Sequence, residues 1–156
     1  MRKLSLALVA LFAITGRLLA GESGGEDEVV GTLQAYESAW SRHDADAISS
    51  FYYEPAMRIG RGGPVVRPTR EDQAAFFSGF MPGLVRQGYA NSTLEETNVR
   101  LLDERTAVAS GITVRYKTDG TVLDRLGVTY CLYKTNDGWK IFTSATHAPD
   151  AVLHFR

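Results

Sequence analysis

The spacing of apolar residues changes once along the chain, and that change divides it into a helical part and a strand part. Val29, Leu33, Tyr36 and Trp40 recur at three- and four-residue steps, which puts them on one stripe of a helix. Glu26, Asp27 and Glu28 stand where a helix N-terminus favours negative charge. Asp44 is placed to cap a short second helix carrying Ile48 and Phe51. Pro55 closes that segment, and Ala56 to Ile59 reads as a short strand. Thr69-Arg70-Glu71-Asp72 has the layout of a capping box with Asp in place of the usual Glu. The helix it opens carries Phe76, Phe77 and Phe80 and ends or kinks near Pro82-Gly83, with Leu84-Val85 adding a turn. From Tyr89 onward the pattern is that of strands, about Thr93–Leu102, Thr106–Tyr116, Thr121–Lys134 and Trp139–His147. Helices first and an antiparallel meander afterwards predict an α+β domain.

The hairpin between the second and third of these strands can be set in register. With Asp119-Gly120 as a two-residue loop, Thr118 faces Thr121 and Arg115 faces Asp124, an opposite-charge pair. Ala109 then faces Tyr130 and Ala107 faces Leu132, small against large. Val108, Ile112, Val114, Leu123 and Cys131 fall on one face, Leu126, Val128, Tyr130 and Leu132 on the other. A sheet with one wet face alternates more cleanly. Helices can cover one face, and a second copy of the chain is expected on the other. In the last hairpin a two-residue Asp137-Gly138 loop puts His147 on the face of Trp139, Ile141, Tyr130 and Val128. A three-residue Asn136-Asp137-Gly138 loop turns His147 to the opposite face and sets Lys134 against Lys140, a mildly destabilising pair.

The first twenty residues stand apart from this pattern. Met1-Arg2-Lys3 is basic, Leu4 to Ile14 is apolar apart from Ser5, and Leu18-Leu19-Ala20 ends on a small residue. That order predicts a secretory signal peptide over residues 1–20 and a periplasmic or secreted mature chain. The apolar run is shorter than the roughly 20 residues a bilayer span needs, so no membrane anchor is expected after cleavage. Residues 21–28 read as a flexible lead-in, 29–147 as one domain and 148–156 as a C-terminal tail.

The formal net charge is −1 with both signs scattered, which argues against a nucleic-acid or polybasic membrane surface. The single Cys131 cannot form an intramolecular disulfide and reads as a buried thiol. Arg61-Gly62-Gly63-Pro64 has neither phosphate-loop nor dinucleotide-binding spacing and reads as a turn. His43, His147 and His154 are scattered without matching acids, so no metal site and no cofactor are expected.

Tyr36-Glu-Ser-Ala-Trp40, then His43-Asp44-Ala-Asp46-Ala47-Ile48, Phe51 and Ala56, resemble the opening of SnoaL-like domains of the nuclear transport factor 2-like superfamily. The Thr69-to-Phe80 helix and the ending from Tyr130 to Lys134, through Asp137-Gly-Trp-Lys-Ile141 to His147, are similar too. The resemblance implies a curved sheet wrapped around a helix, a cone with one open end suited to a small hydrophobic molecule. It also implies frequent dimers, and a range of members from isomerases and dehydratases to non-catalytic binding domains, so function has to come from the site.

Four residues are candidates. His147 is a possible general base at the cone mouth, set against a strand-end histidine that bonds backbone or water. Tyr130 and Tyr53 are possible hydroxyl donors, and Arg58 a possible partner for a ligand carboxylate. Against these, Tyr52 packs in the core while Glu54 and Arg58 stay in water. Of Glu95 and Glu96 only one is expected to point inward. The preferred expectation is an exported, homodimeric small-molecule-binding domain without demonstrated catalysis. The rivals are a lyase or isomerase acting on a hydrophobic carbonyl compound, and a protein-interaction module.

Overall fold

The computed structural model describes residues 24–156. The expected signal segment, residues 1–20, lies outside them. Helix α1 (Gly25–Ser41) starts inside the stretch expected to be a flexible lead-in. Glu28 explains part of that early start: its carboxylate pairs with Lys134 and accepts the Trp139 indole N–H at 3.1 Å, which ties the helix start to the last hairpin. The predicted stripe is buried, with Val29, Leu33, Tyr36 and Trp40 all in the core. Helix α2 (Ala45–Ser50) is capped by Asp44, whose side chain accepts the Ala47 N–H at 2.9 Å.

Strand β1 (Tyr52–Gly60) begins earlier than Ala56 and runs through Pro55, and β2 (Gly63–Arg67), which the apolar pattern does not reveal, pairs antiparallel with it. Helix α3 (Arg70–Arg86) opens on the expected capping box, Thr69 with Asp72, and continues through Pro82. Strands β3 (Tyr89–Leu101), β4 (Thr106–Lys117), β5 (Val122–Thr135) and β6 (Gly138–His147) complete one sheet in the order β2-β1-β6-β5-β4-β3. Only β1 and β6 are parallel among these pairs. The sheet curls, with α1 packed into its concave side: Ala107, Ala109, Val128, Tyr130, Leu132 and Ile141 join the helix stripe in one core.

Both hairpins depart from the expected loops, with opposite consequences. Between β4 and β5 the Lys117 N–H donates to the Thr121 carbonyl, so the loop is Thr118-Asp119-Gly120 and Thr118 does not face Thr121. One extra residue, Leu123, then bulges out, and Arg115 meets Asp124, Ala109 meets Tyr130 and Ala107 meets Leu132 as expected. Between β5 and β6 the loop is Asn136-Asp137, with Thr135 opposite Gly138. Gly138 has φ +96°, a conformation that costs a side-chain-bearing residue energy, and this lets it close the turn. Lys134 faces Trp139, so the feared lysine pair does not arise. A bulge at Phe142 then shifts the pairing by one: Leu132 faces Ile141, but Cys131 faces Thr143 and Gly127 faces His147. Trp139 and Ile141 keep the expected face, and His147 does not.

The outer face is partly covered by the chain itself. After β6 a short 3-10 turn (Pro149–Ala151) leads into a tail that lies back on the sheet. The Leu153 N–H donates to the Ser110 hydroxyl at 3.1 Å, and Arg100 donates to the Arg156 carbonyl at 3.2 Å. The His147 ring lies directly over Gly127, where an added Cβ would collide with the ring and with the Ala148 carbonyl. Gly127→Ala is expected to destabilise by about 1–3 kcal/mol, the usual cost of overpacking. It should also speed hydrogen exchange at the Leu153 amide, because the strand end must move and the tail with it. Denaturant unfolding and exchange measurements check both. An unchanged midpoint would show that the strand end yields without cost.

Candidate functional site

Helix α1 carries a carboxylate into the cone. Glu37 is only 5% exposed, and its two oxygens are held from two different strands. Oε2 accepts the Ser92 hydroxyl of β3 at 2.8 Å, and Oε1 accepts the Thr113 hydroxyl of β4 at 2.9 Å. Ser92 in turn lies 2.9 Å from the Tyr89 hydroxyl, which donates to it, since the Ser92 proton is already committed to Glu37. Burial pushes the Glu37 carboxyl above the ordinary carboxylate range, and the bonds from Ser92 and Thr113 and the charge of Arg115 only partly oppose it.

Around this acid stand phenols and guanidinium groups. Tyr130 of β5 is buried, and burial, reinforced by the nearby Glu37 charge, pushes its phenol well above the ordinary range. Tyr36 and Tyr52 share a hydrogen bond between their hydroxyls at 2.8 Å. Arg115 pairs with Asp124 at 3.3 Å, as the register predicts, yet it also faces inward and lies 5.8 Å from the Trp40 ring. Arg58 reaches in from β1 with its guanidinium 5.0 Å from the Phe76 ring centroid and 5.5 Å from Phe77. Its Nη1 is buried and has no hydrogen-bond partner among the described residues.

These groups border an inner cavity of about 30 Å³. That is room for one or two waters. Arg58 is also a wall of an outer pocket of about 210 Å³, which opens between β1, β2 and α3. The cone therefore has a narrow polar interior and a wider antechamber, with one guanidinium between them.

Of the four predicted residues, the structure brings Tyr130 and Arg58 together and leaves His147 and Tyr53 out. Because of the Phe142 bulge, His147 sits on the outer face, opposite to Tyr130. Its Nδ1 donates to the Ala148 carbonyl and its Nε2 accepts the Thr129 hydroxyl, both at 2.9 Å. This is the strand-end histidine, bonded to backbone and a neighbour, and not a base at the cone mouth. Tyr53 follows the inward Tyr52 on β1 and so points outward, edge-on to Tyr133 at 5.9 Å. Arg58 does not stay in water. Neither Glu95 nor Glu96 points inward: Glu95 pairs with Arg125 at 2.9 Å on the outer face, and Glu96, at φ +49°, is exposed at a bulge. Cys131 is half-buried, and burial pushes its thiol up, as expected of an inert cysteine.

Sequence reasoning missed Glu37 and Arg67. The signal for Glu37 is present: it lies four residues after Leu33 and three before Trp40, an acid within an apolar stripe. Arg67 belongs to β2, whose existence is not legible in the apolar pattern.

The Glu37 carboxyl has a definite consequence for stability. Its folded value is raised, so the folded state holds this proton more tightly than the unfolded chain. The associated stability is fully present below the ordinary carboxylate range and is lost as pH rises through the raised value. Glu37→Gln, which mimics the neutral acid, should therefore flatten this pH dependence and raise the melting temperature at pH 7 relative to wild type. Glu37→Ala should cost about 1–3 kcal/mol, since Ser92 and Thr113 lose their acceptor. Thermal melts between pH 4 and 8 decide it; a Gln variant less stable than wild type at pH 7 would show that the carboxylate bonds outweigh desolvation.

A family profile described as NTF2-like protein (DUF6841) matches residues 27–149. No curated protein is similar enough in sequence to match. Among solved structures, an NTF2-like protein with a cystatin-like fold from Novosphingobium aromaticivorans superposes with a TM-score of 0.67 at 20% identity, over 80% of this chain and 82% of that one. A ketosteroid isomerase-like protein from Erwinia carotovora atroseptica superposes with a TM-score of 0.54 at 15% identity, over 81% and 99%. A protein of unknown function from Mycobacterium tuberculosis gives 0.64 at 12% identity, over 77% and 73%. These likenesses establish the fold of the domain: three helices and a curled six-stranded sheet. With the profile spanning nearly all of that fold, the chain belongs to the NTF2-like protein family DUF6841.

Proposed function

We propose that this chain is an exported SnoaL-like domain whose cone binds a small, largely apolar molecule bearing an oxygen function. The observation that carries this reading is the composition of the cone interior. Apolar walls from Trp40, Leu126, Val128 and Tyr130 surround a few convergent polar groups, Glu37, Arg58 and Arg115. Ligand sites combine these two ingredients. The inner cavity alone is too small for a ring-sized molecule, so the body of the ligand occupies the antechamber beyond Arg58 and only a polar atom reaches inward.

One observation favours a second reading, a lyase or isomerase acting on a hydrophobic carbonyl compound. Glu37 is a carboxyl whose proton affinity is raised by burial, and it lies near Tyr130, a neutral phenol donor. Such a pair suits proton transfer next to a carbonyl. With His147 on the outer face, the acid–base role falls to Glu37. Both Glu37 oxygens are already engaged by Ser92 and Thr113, so substrate has to displace one of those bonds. That requirement makes binding the preferred reading.

Native mass spectrometry of protein purified from an exporting host tests the reading. Wild type should carry a small-molecule adduct that is released on denaturation. Val65→Trp, a half-exposed wall position whose added ring fills the antechamber, should lose the adduct while the melting temperature stays within a few degrees. An adduct retained by the filled variant, or none in wild type, would remove the cone as the binding site.

The homodimer is proposed through the part of the outer face that the tail leaves bare. Tyr53, Pro55, Tyr133 and Phe142 line one apolar patch there. Light scattering at micromolar concentration should report twice the monomer mass, and Phe142→Glu should return a monomer. A monomeric wild type would leave the patch as ordinary surface.

A further inference from the structure

Two arginines stand side by side in the antechamber. Arg58 on β1 and Arg67 on β2 share the concave face, because Ala56 faces Arg67 and Val65 faces Arg58 across the hairpin. Both guanidinium groups lie over the same ring, Arg58 at 5.0 Å and Arg67 at 3.8 Å from the Phe76 centroid. In each, Nη1 is buried without a hydrogen-bond partner among the described residues, and neither arginine belongs to any of the ion pairs found there. Arg67 is held below the ordinary guanidinium range, first by burial and then by the charge of Arg58, which the charge of Asp72 only partly opposes. Two neighbouring like charges, each with one nitrogen buried and unpaired, are costly unless something anionic completes them.

The rest of the pocket describes what that something carries. Phe76 and Phe80 stack with rings 5.8 Å apart and 18° from parallel, and Phe80 remains 38% exposed. Val65, 48% exposed, adds an aliphatic wall. Gly62 and Gly63 contribute no side chain, and the space beside each is open. The result is an apolar slot of about 210 Å³ with two planar cations in its wall, Arg58 at the inner end. Planar guanidinium groups suit a carboxylate, which they bind through paired parallel hydrogen bonds.

We propose that the pocket between the β1–β2 hairpin and α3 is a carboxylate site, with Arg58 and Arg67 holding the anionic head of a flat, apolar small molecule whose body lies against Phe76 and Phe80. This rests on the reading of the cone as a ligand site and names the chemical class that enters it. The expected ligand is an aromatic or similarly planar carboxylic acid, bound with the head toward Arg58 and the inner cavity.

Isothermal titration calorimetry of the folded protein with benzoate, benzamide and inorganic phosphate tests this. Benzoate should bind, and more weakly as salt is added. Benzamide, the neutral analogue of similar shape, should bind roughly tenfold or more weakly for want of charge-assisted bonds. Phosphate, lacking the ring, should also be weaker than benzoate. Arg67→Gln should weaken benzoate roughly tenfold or more while the unliganded protein melts at the same temperature or higher, because a like charge has been removed. Equal binding of benzoate and benzamide, or an Arg67→Gln variant with undiminished benzoate affinity, overturns the carboxylate assignment and leaves the cone as a site for neutral molecules. A clear fall in the melting temperature of Arg67→Gln makes the arginine a structural partner of Phe76 and overturns it as well. No heat from any of the three up to about 10 mM overturns it too. The cone reading itself is judged separately, by the adduct and the cavity-filled variant.

Discussion

The stripe Val29, Leu33, Tyr36 and Trp40 has to leave water, and one helix cannot hide it alone. The sheet does so by curling until residues from β1, β4, β5 and β6 meet the helix in a single core. Every other feature of the domain is arranged around that burial. The helix start is pinned to β5 and β6 by Glu28, the middle to β3 and β4 by Glu37, and the side toward α3 by the contact of Trp40 with Phe77 at 5.2 Å. Because α1 fills most of the cone, little space is left inside, and what remains is bordered by the polar residues that the helix and the strands bring with them.

Those polar residues are resolved in two different ways. Glu37 is deep, yet both oxygens are satisfied, and its proton affinity rises with burial, so the cost of a buried charge can be met by taking up a proton. Arg58 and Arg67 cannot escape by that route, since a guanidinium keeps its proton in proteins. They lie over Phe76, a cation–π contact that offsets only part of the cost of their burial and mutual repulsion. The acid is internally satisfied and the arginines are not. This contrast separates groups that hold the fold together from groups left free to meet a ligand.

Much of the fold was legible from spacing. The helical stripe, the Asp44 and Thr69 caps and the four long strands of the meander all follow from residue type and period. Strand β2 was not legible: Gly63 to Arg67 is five residues long, contains Pro64 and sits at the sheet edge, where no buried alternation is required. The site was legible only in part. Tyr130 falls on the expected face because the Leu123 bulge offsets the longer Thr118-Asp119-Gly120 loop, and Arg58 falls inside with Tyr52 and Ala56 although β1 shifts its pairing with β6 between Tyr52 and Met57. Tyr53 was lost to its neighbour, since the pattern did not show β1 starting at Tyr52. Glu37 was visible as an acid among apolar residues, but spacing alone does not tell a buried acid from one that snorkels to water at the edge of a stripe.

The bulges account for the rest, and they decide what chemistry the cone contains. A single added residue inverts the face of every side chain beyond it, and period-two alternation carries no mark of where the addition falls. In β6 the extra residue at Phe142 sends Ser144 and Thr146 to the cavity and His147 to the outer face. In β3 the irregularity between Glu95 and Asn98 falls after Ser92 and Leu94, so Ser92 stays inward beside Glu37 while Glu95 stays outside with Arg125. Gly111 makes room for that second bulge, since a Cβ there would lie 2.9 Å from the Glu95 carbonyl oxygen. The bulges keep His147 and Glu96 out of the cone, the regular pleat before them keeps Glu95 out, and hydroxyls face it instead. The interior acquires one acid, neutral phenols and hydroxyls, and an unpaired guanidinium, a set suited to holding an oxygen-bearing molecule in place.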